Sequence, residues 1–263
     1  MVIPAGGTLQ GTYRTLAGTP HRALAPIGIS ARPVLQVVVD ALRSSDCTRR
    51  IIVVGDQALC KAVTGVDTWL DENEASGTAA HETGSGSNLS GGPANILRGL
   101  RELEPGRPAI VCTSDLPFLS GAGISDFLSR TNANSDIAVG LVEAQAYLDH
   151  YSDAPPSEFV NLRETGPVTM GCVFRVVPEV LLRESASLRQ SFTARKSQWK
   201  LARLLGLRLI WDFARRDLSL NSVRKRVEMV LSCRVDVVSS VKPELAFDID
   251  TPNDYSYASE HAR

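Results

Sequence analysis

Short apolar runs rich in β-branched residues recur along the chain, and each is followed by a segment with helical periodicity. Three such runs span residues 51–55, 109–113 and 137–142. Because these runs are apolar throughout and do not alternate, we expect strands that are buried on both faces of a sheet. Strands that alternate with amphipathic helices form a mainly parallel sheet with helices on both sides. The sequence therefore predicts a doubly wound, Rossmann-like α/β fold with three layers, α/β/α.

A single domain is expected over residues 1–263, because no linker of disordered composition divides them. The regular alternation of strands and helices ends near residue 150, which separates a first half, about 1–150, from a more elaborate second half, about 151–263. A helical insertion is predicted within the second half, at about 178–233. Residues 73–92 are rich in Gly, Ser, Thr and Asn and are predicted to form a loop, either a lid or a disordered segment.

The balance of charges and the distribution of apolar residues exclude several classes of protein. Lys and Arg number 28 and Asp and Glu number 29, so a globally basic nucleic-acid binder is not expected. No apolar run approaches the roughly 20 residues that a membrane-spanning helix needs. The five cysteines are scattered and include no CxxC pair, so neither a disulfide framework nor a zinc site is expected. These features predict a cytoplasmic protein with neither nucleic acid nor membrane as a partner.

Carboxylates follow two predicted strands, at positions where a parallel sheet collects its ligands. Asp115 comes after the second apolar run, and the carboxyl ends of parallel strands face the ligand crevice. A carboxylate there suits Mg²⁺, which prefers carboxylate, phosphate and water oxygens. Asp248 and Asp250 lie at the end of another candidate strand, 245–249, where alternation would put them on one face. Asp250 is either a metal ligand or the N-cap of the helix predicted to follow it.

A glycine pair and an arginine near the start of the chain are the candidates for anion binding. Ala5, Gly6 and Gly7 follow a short apolar strand, and glycines in such a place let several backbone N–H groups point at an anion. Arg22 precedes a segment rich in proline, and a guanidinium has the geometry to bridge phosphate oxygens. A simple turn and a solvated arginine are the alternative interpretations of these two segments.

The order of these segments along the chain resembles the MobA-like NTP transferases, which belong to the nucleotidyltransferases with a glycosyltransferase-A type fold. The resemblance covers nearly the whole chain, including residues 195–206. It rests on the glycine pair, the cation before Ala23-Leu24-Ala25-Pro26, the strand-end Asp115-Leu116-Pro117 and the late Asp248-Ile249-Asp250-Thr251-Pro252-Asn253-Asp254. It implies a sheet of the nucleotide-diphospho-sugar transferase type, an NTP and a phosphorylated small molecule as binding partners, and Mg²⁺ as the cofactor.

The resemblance also assigns the nucleotide side of the site. Backbone groups of Ala5, Gly6 and Gly7 would contact the nucleotide, and Asn95 would lie near the base or the ribose. Arg22 would hold phosphates, which makes it a nucleotide-binding and catalytic residue. The first half of the chain is then the nucleotide-binding half.

The resemblance also implies which residues bind the metal ion and the acceptor. Asp115 and Asp250 would bind Mg²⁺, with Asp115 also contacting the nucleotide and acting as the second catalytic residue. Gly171 would line the acceptor pocket in the second half, while Lys196 and Lys200 lie on a basic helical stretch that would attract an anionic acceptor. A solvated helix face explains those lysines equally well. The implied reaction transfers an NMP unit to the acceptor and releases pyrophosphate, the EC 2.7.7 type of transfer.

Three departures from the family pattern leave alternatives open. The loop at 8–14 matches that pattern loosely, Arg22 stands where the family usually has Lys, and Cys172 stands where Asn often follows the acceptor-site glycine. A catalytically silent nucleotide-binding or regulatory protein with the same fold is therefore the main alternative. A dinucleotide-binding oxidoreductase is disfavoured, because residues 6–11 lack the GxGxxG spacing. The sequence names neither the NTP nor the acceptor, and it leaves the oligomeric state open, a homodimer included.

Overall fold

The computed structural model describes residues 1–47, 49–73, 91–184 and 207–262, and the elements named below lie within these ranges. The strands are β1 (Val2–Pro4), β2 (Pro26–Ile27), β3 (Arg32–Pro33), β4 (Ile52–Gly55), β5 (Thr68–Asp71), β6 (Ala109–Cys112), β7 (Ile137–Glu143), β8 (Val160–Leu162), β9 (Gly166–Val176) and β10 (Val235–Val238). The helices are α1 (Gly11–Ala17), α2 (Val34–Ser44), α3 (Gly92–Arg101), α4 (Gly121–Ser129), α5 (Ala144–His150), α6 (Pro178–Arg183), α7 (Leu207–Ala214), α8 (Leu220–Leu231) and α9 (Pro252–His261). Short 3-10 turns span Arg22–Leu24, Gln57–Lys61 and Pro243–Leu245.

One mixed sheet of eight strands forms the middle layer. Its strand order is β10-β7-β9-β6-β1-β4-β5, with β8 beside β9. Neighbouring strands are parallel, except that β9 runs antiparallel to β6, β7 and β8. The short strands β2 and β3 form a separate antiparallel pair. The predicted, mainly parallel sheet is thus confirmed, and it contains one long antiparallel strand.

Helices cover both faces of this sheet because successive side chains of its strands point to opposite sides. Ile3 and Val53 pack in one core together with α2 and α4. Val2 and Val54 belong to a second core, which includes Leu100 of α3 and residues of α6. Fully buried residues on both sides are what an uninterrupted apolar run produces. The predicted three-layer arrangement is therefore confirmed.

Two segments differ from the structure that the sequence predicts. The pattern indicates only a loop up to about residue 26, but α1 forms there and ends at Gly18, whose φ is 65°. Its buried residues, Tyr13 and Ala17, are four apart, and a helix of seven residues is too short for this period to stand out. The candidate strand at 245–249 is wrong, because the chain there continues from a 3-10 turn without pairing in the sheet.

Described helices lie in the interval of about 178–233, where the sequence predicts a helical insertion, and the insertion itself stays a prediction. Helices α6, α7 and α8 lie in this interval, while residues 185–206 are outside the described ranges. Most of the predicted loop at 73–92 is also outside them. In the part of the chain that the structure describes, no helix combines the length and the apolar composition needed to cross a bilayer.

Gly99 lies where α3 packs on the sheet, and a methyl group at this position would overlap Val2 and press against Val54. We expect Gly99→Ala to lower the free energy of unfolding by about 1–3 kcal/mol, because a packed interface admits extra volume only by shifting. Gly92, in the first turn of the same helix, has open space around it, so Gly92→Ala is the matched control and should be neutral or slightly stabilising. Urea denaturation measures both variants, and equal stabilities would contradict this packing.

Candidate active site

The backbone of Ile249 joins the C-terminal part of the chain to the carboxyl end of β6. Its N–H donates a hydrogen bond to the carbonyl oxygen of Asp115, with an N···O distance of 3.1 Å. Its carbonyl oxygen accepts a hydrogen bond of 2.7 Å from the Tyr13 hydroxyl, and its side chain is fully buried. Because residue 249 is fixed from three directions, its neighbours Asp248 and Asp250 are held beside Asp115.

Three carboxylates converge at this point. Asp115, Asp248 and Asp250 each offer a carboxylate oxygen, and these oxygens lie within 4.8 Å of one another. Asp115 follows the end of β6, as expected for a residue that faces the ligand crevice of a parallel sheet. The structure thus brings together the two carboxylates that the sequence proposes as metal ligands and adds Asp248 to them. Their proximity comes from the fixed position of Ile249, and not from alternation along a strand.

A different residue caps the helix that follows Asp250. The Thr251 hydroxyl accepts a hydrogen bond from the Asp254 N–H at 3.3 Å, and the Asp254 carboxylate accepts one from the Thr251 N–H at 2.8 Å. This reciprocal pair is a capping box that satisfies the first turn of α9. The interpretation of Asp250 as the N-cap is therefore wrong, and its carboxylate faces Arg22.

Arg22 is the cation of the cluster. Its Nη1 lies 3.2 Å from Oδ2 of Asp115 and forms a second ion pair with Asp250. The backbone N–H of Arg22 donates a 2.9 Å hydrogen bond to the Gly7 carbonyl, so the glycine loop positions the arginine. The side chains of Arg22 and Asp115 are 25% and 13% exposed, which makes this pair less screened by water than a surface ion pair.

The electrostatics of the cluster favour the binding of additional positive charge. Burial disfavours the charged form of Arg22, but Asp115 and Asp250 outweigh burial and raise the pKa of Arg22 above its ordinary value. Burial, together with the charges of Asp250 and Asp115, raises the pKa of Asp248 to about 7. Asp115 and Asp250 thus share one guanidinium, with Asp248 beside them, and a further cation would lower the pKa of Asp248 again.

The residues present fit a hard divalent cation. Within the described residues, the buried Oδ1 of Asp115 accepts no hydrogen bond, and the buried Nε of Arg22 donates none. A buried carboxylate oxygen without a partner is costly, and a cation that takes oxygen ligands, such as Mg²⁺, would satisfy it. The carboxylates would fill only part of the coordination shell of Mg²⁺, which leaves positions for phosphate and water oxygens.

The glycine loop leaves β1 at the same edge of the sheet. Among the residues that the structure describes, neither the Gly6 nor the Gly7 amide is paired in a hydrogen bond, so both are available to an anion. Ala5 is buried, and its amide donates to the carbonyl oxygen of Val54 at 2.7 Å. Of the three residues predicted to contact a nucleotide here, Gly6 and Gly7 have free amides, whereas the amide of Ala5 belongs to the sheet.

Glu72 is a site residue that the sequence analysis missed. It follows β5, and its carboxylate accepts a 2.9 Å hydrogen bond from Nδ2 of Asn95, which is 3% exposed on α3. A Cβ at position 6 would overlap the tip of the Glu72 side chain and lie 2.7 Å from Nδ2 of Asn95, so this pair borders the glycine loop. The signal was available, because Glu72 follows a predicted strand just as Asp115 does.

The residues predicted to contact an acceptor are only partly described. Gly171 is buried inside β9, and a Cβ at this position would lie 3.5 Å from the carbonyl oxygen of Leu245. Burial, assisted by nearby carboxylate charges, raises the pKa of the Cys172 thiol well above its ordinary value, so this thiol is not a nucleophile. Lys196 and Lys200 lie outside the described residues.

Comparisons with known proteins agree on the kind of domain. The sequence model of the family described as "MobA-like NTP transferase domain" matches residues 2–206. Comparison with curated protein sequences gives no match. Among solved structures, a hypothetical transferase from Thermus thermophilus is similar with a TM-score of 0.80 and 20% sequence identity, and the similarity covers 97% of each chain.

Two cytidylyl-transfer enzymes share the fold more distantly. The 2-C-methyl-D-erythritol 4-phosphate cytidylyltransferase of Francisella tularensis has a TM-score of 0.55 at 12% identity, covering 98% of this chain and 96% of its own. A CMP:2-keto-3-deoxy-manno-octonic acid synthetase, solved with CTP, has a TM-score of 0.54 at 14% identity. The similarity covers 95% of this chain and 92% of the synthetase. At these identities the likeness establishes the fold alone, and it confirms the predicted nucleotide-sugar transferase type of sheet.

The raised pKa of Asp248 makes stability depend on pH when no divalent cation is present. Between pH 4 and 7 the folded state keeps a proton on Asp248 that the unfolded chain releases, so the free energy of unfolding falls as the pH rises. Asp248→Asn removes this penalty and is expected to stabilise the protein at pH 8 by on the order of 1–3 kcal/mol, but not at pH 4.

Denaturation in EDTA at both pH values measures this effect. The exposed Asp46 makes no side-chain hydrogen bond within the described ranges, so Asp46→Asn is the matched control and should change little at either pH. A stabilisation of Asp248→Asn that is the same at both pH values would show that the ionisation of Asp248 is not its cause.

Proposed function

The chain belongs to the MobA-like NTP transferase family, and from this premise we propose that it is a Mg²⁺-dependent nucleotidyltransferase. It would transfer an NMP unit from an NTP to a phosphorylated small molecule and release pyrophosphate. The observation that carries the proposal is the convergence of Asp115, Asp248, Asp250 and Arg22 beside the free amides of the glycine loop. This arrangement offers separate places for a metal ion and for phosphate groups.

The proposed reaction is a displacement at phosphorus. An oxygen of the acceptor phosphate forms a bond to the α-phosphorus of the NTP, and the bond from that phosphorus to the bridging oxygen of the β-phosphate breaks. A phosphate monoester already carries negative charge near neutral pH, so this chemistry needs no general base from the protein. The contribution of the protein is positioning and charge neutralisation.

Asp115 and Asp250, with Asp248 beside them, are the residues that would hold the metal ion. When bound there, Mg²⁺ supplies neutralisation of phosphate charge close to the α-phosphorus. Arg22 would leave its two carboxylate partners and move to the phosphates, because Asp115 and Asp250 would then hold the metal ion. Arg22 then stabilises the charge that develops on the departing pyrophosphate.

The nucleotide side is supported by the loop that follows β1. The amides of Gly6 and Gly7 would donate to phosphate oxygens, and the hydrogen-bonded Glu72 and Asn95 would face the ribose or the base. CTP is the first donor to test, because the neighbours described above include cytidylyltransferases, one of them solved with CTP. Ala5 would contribute through its position at the start of the loop.

The acceptor side of the proposal is argued from β9. Gly171 lies in β9, next to Cys172, whose thiol experiences the charges of Asp248 and Asp115. The acceptor would therefore approach from the second half of the chain. The roles of Lys196 and Lys200, and the division into a nucleotide-binding half and an acceptor-binding half, stay predictions.

A catalytically silent nucleotide-binding protein is the second candidate function. The observation that favours it is the pair of contacts that Arg22 makes with Asp115 and Asp250, where a guanidinium already balances carboxylates that a metal ion would need. If Arg22 stays there, an NTP can bind to the glycine loop without the metal ion. The next two experiments separate these functions.

We expect CTP with Mg²⁺ to raise the melting temperature of the wild type, because a ligand that binds only the folded state stabilises it. At 100 times its Kd the stabilisation is about 2.7 kcal/mol. Asp115→Asn should abolish the part of the shift that depends on Mg²⁺. Asp126 on α4 is partly exposed and pairs with Arg130, which follows the helix, so it provides the control Asp126→Asn, which should shift like the wild type. A shift that persists in Asp115→Asn would favour the silent binder.

Arg22→Gln should change the affinity for Mn²⁺ and the affinity for CTP with Mg²⁺ in opposite directions. It frees Asp115 and Asp250, so Mn²⁺ alone is expected to bind more tightly than to the wild type, by roughly 10-fold. It also removes a phosphate contact, so CTP with Mg²⁺ should bind about 10- to 100-fold more weakly. Arg22→Lys keeps the charge but loses the bridging geometry of the guanidinium, so it should fall between the wild type and Arg22→Gln in both titrations. Calorimetry that finds the same direction for both ligands in Arg22→Gln would refute this role of Arg22.

A further inference from the structure

A second cavity lies at the opposite edge of the sheet from the carboxylate cluster. Its volume is about 760 Å³, and arginines from several strand ends line it. Arg49 and Arg50 precede β4, Arg107 precedes β6, and Arg175 lies near the end of the antiparallel β9. The intervening strand separates this cavity from Asp115 by a distance on the order of 20 Å. The two sites are therefore distinct.

The cavity concentrates positive charge in a protein whose formal net charge is −1. Glu104 is the one carboxylate among the residues that line it, against four guanidinium groups. In the part of the chain that the structure describes, none of these four arginines pairs with a carboxylate, whereas arginines elsewhere on the surface do. Their mutual repulsion would be relieved by a bound anion.

Two of these arginines are held in place by neutral groups. Arg50 donates to the carbonyl oxygen of Glu102 at 3.1 Å and to the Thr68 hydroxyl at 3.0 Å. Arg175 donates to the carbonyl oxygen of Ser135 at 3.0 Å. These bonds orient the guanidinium groups without neutralising them, so little conformational entropy is lost when an anion binds. A planar guanidinium with several N–H donors matches the geometry of phosphate.

The size and the walls of the cavity indicate a small molecule. Its volume lies in the range of about 300–1,000 Å³ that small-molecule sites have. Leu103, Pro108 and Leu128 give it an apolar wall beside the arginines. A nucleic-acid surface would instead present its basic residues along an open stripe. We infer that the cavity binds a small anion with several phosphate groups, either inorganic or attached to an organic body.

The test is a calorimetric titration with inorganic tripolyphosphate and, separately, with ATP. Both are measured in EDTA and at low ionic strength, so that metal-dependent binding at the carboxylate cluster does not contribute. Arg49 and Arg107 are exposed and make no side-chain hydrogen bond within the described ranges, so the double variant R49Q/R107Q should fold normally. We expect at least one probe to bind the wild type, and R49Q/R107Q to raise its Kd about 10- to 100-fold.

The double variant K61Q/K225Q is the matched control, because it removes the same charge from two exposed lysines outside the cavity. It should bind the probes like the wild type, and so should Asp115→Asn. Tighter binding of tripolyphosphate than of ATP would indicate an inorganic ligand, and tighter binding of ATP would indicate phosphates attached to an organic body. Mg²⁺-dependent CTP binding should survive in R49Q/R107Q, so this inference and the proposed function can fail independently.

Several outcomes would overturn the inference. If neither probe binds, or if R49Q/R107Q and K61Q/K225Q weaken binding equally, the arginines do not form a site. Loss of binding in Arg22→Gln, and not in R49Q/R107Q, would assign the anion to the glycine loop beside the carboxylate cluster instead. A single-stranded oligonucleotide that binds more tightly than both probes, and loses affinity in R49Q/R107Q, would indicate a nucleic-acid surface and not a small-molecule cavity.

Discussion

The candidate active site depends on the backbone of one residue, Ile249. The two hydrogen bonds of Ile249 and its buried side chain hold Asp248 and Asp250 against the end of β6, where like charges repel. Arg22 offsets that repulsion, and the glycine loop that follows β1 positions Arg22. The site is thus assembled from three segments that are distant in sequence, and each of them is fixed by the backbone of the sheet or by a helix start. Such backbone support is what precise positioning of reacting groups requires.

The fold could be predicted largely from the sequence, because its main signal is local. An uninterrupted apolar run predicts a buried strand wherever it occurs, and the runs that became β4, β6 and β7 are examples. The insertion of β9 between β6 and β7 is a matter of topology, which no local pattern reports. At residues 245–249 the local apolar pattern predicts a strand that the structure does not contain. Their apolar residues are buried and Ile249 donates to the carbonyl of Asp115, but no strand ladder forms there.

The site was predictable where a general rule of parallel sheets applied. Asp115 could be identified because it follows a buried strand, and Glu72 obeys the same rule at β5. The ion pairs of Arg22 with two carboxylates could not be derived in this way, since they join parts of the chain that only the folded structure brings together. The four arginines of the second cavity are similar, because they precede or end different strands and form no motif in sequence.

Arg22 and Asp250 are 228 residues apart in the chain, and Tyr13 and Ile249 are 236 apart. Contacts between such distant residues close very long loops and contribute to a slow-folding topology. All strands of the described sheet, the last of which is β10, precede residue 248. A chain emerging from the ribosome can therefore pair its strands while the carboxylate cluster is still missing two of its three members. Competence to bind ligand is then acquired at a single late point of biosynthesis, after the scaffold is already in place.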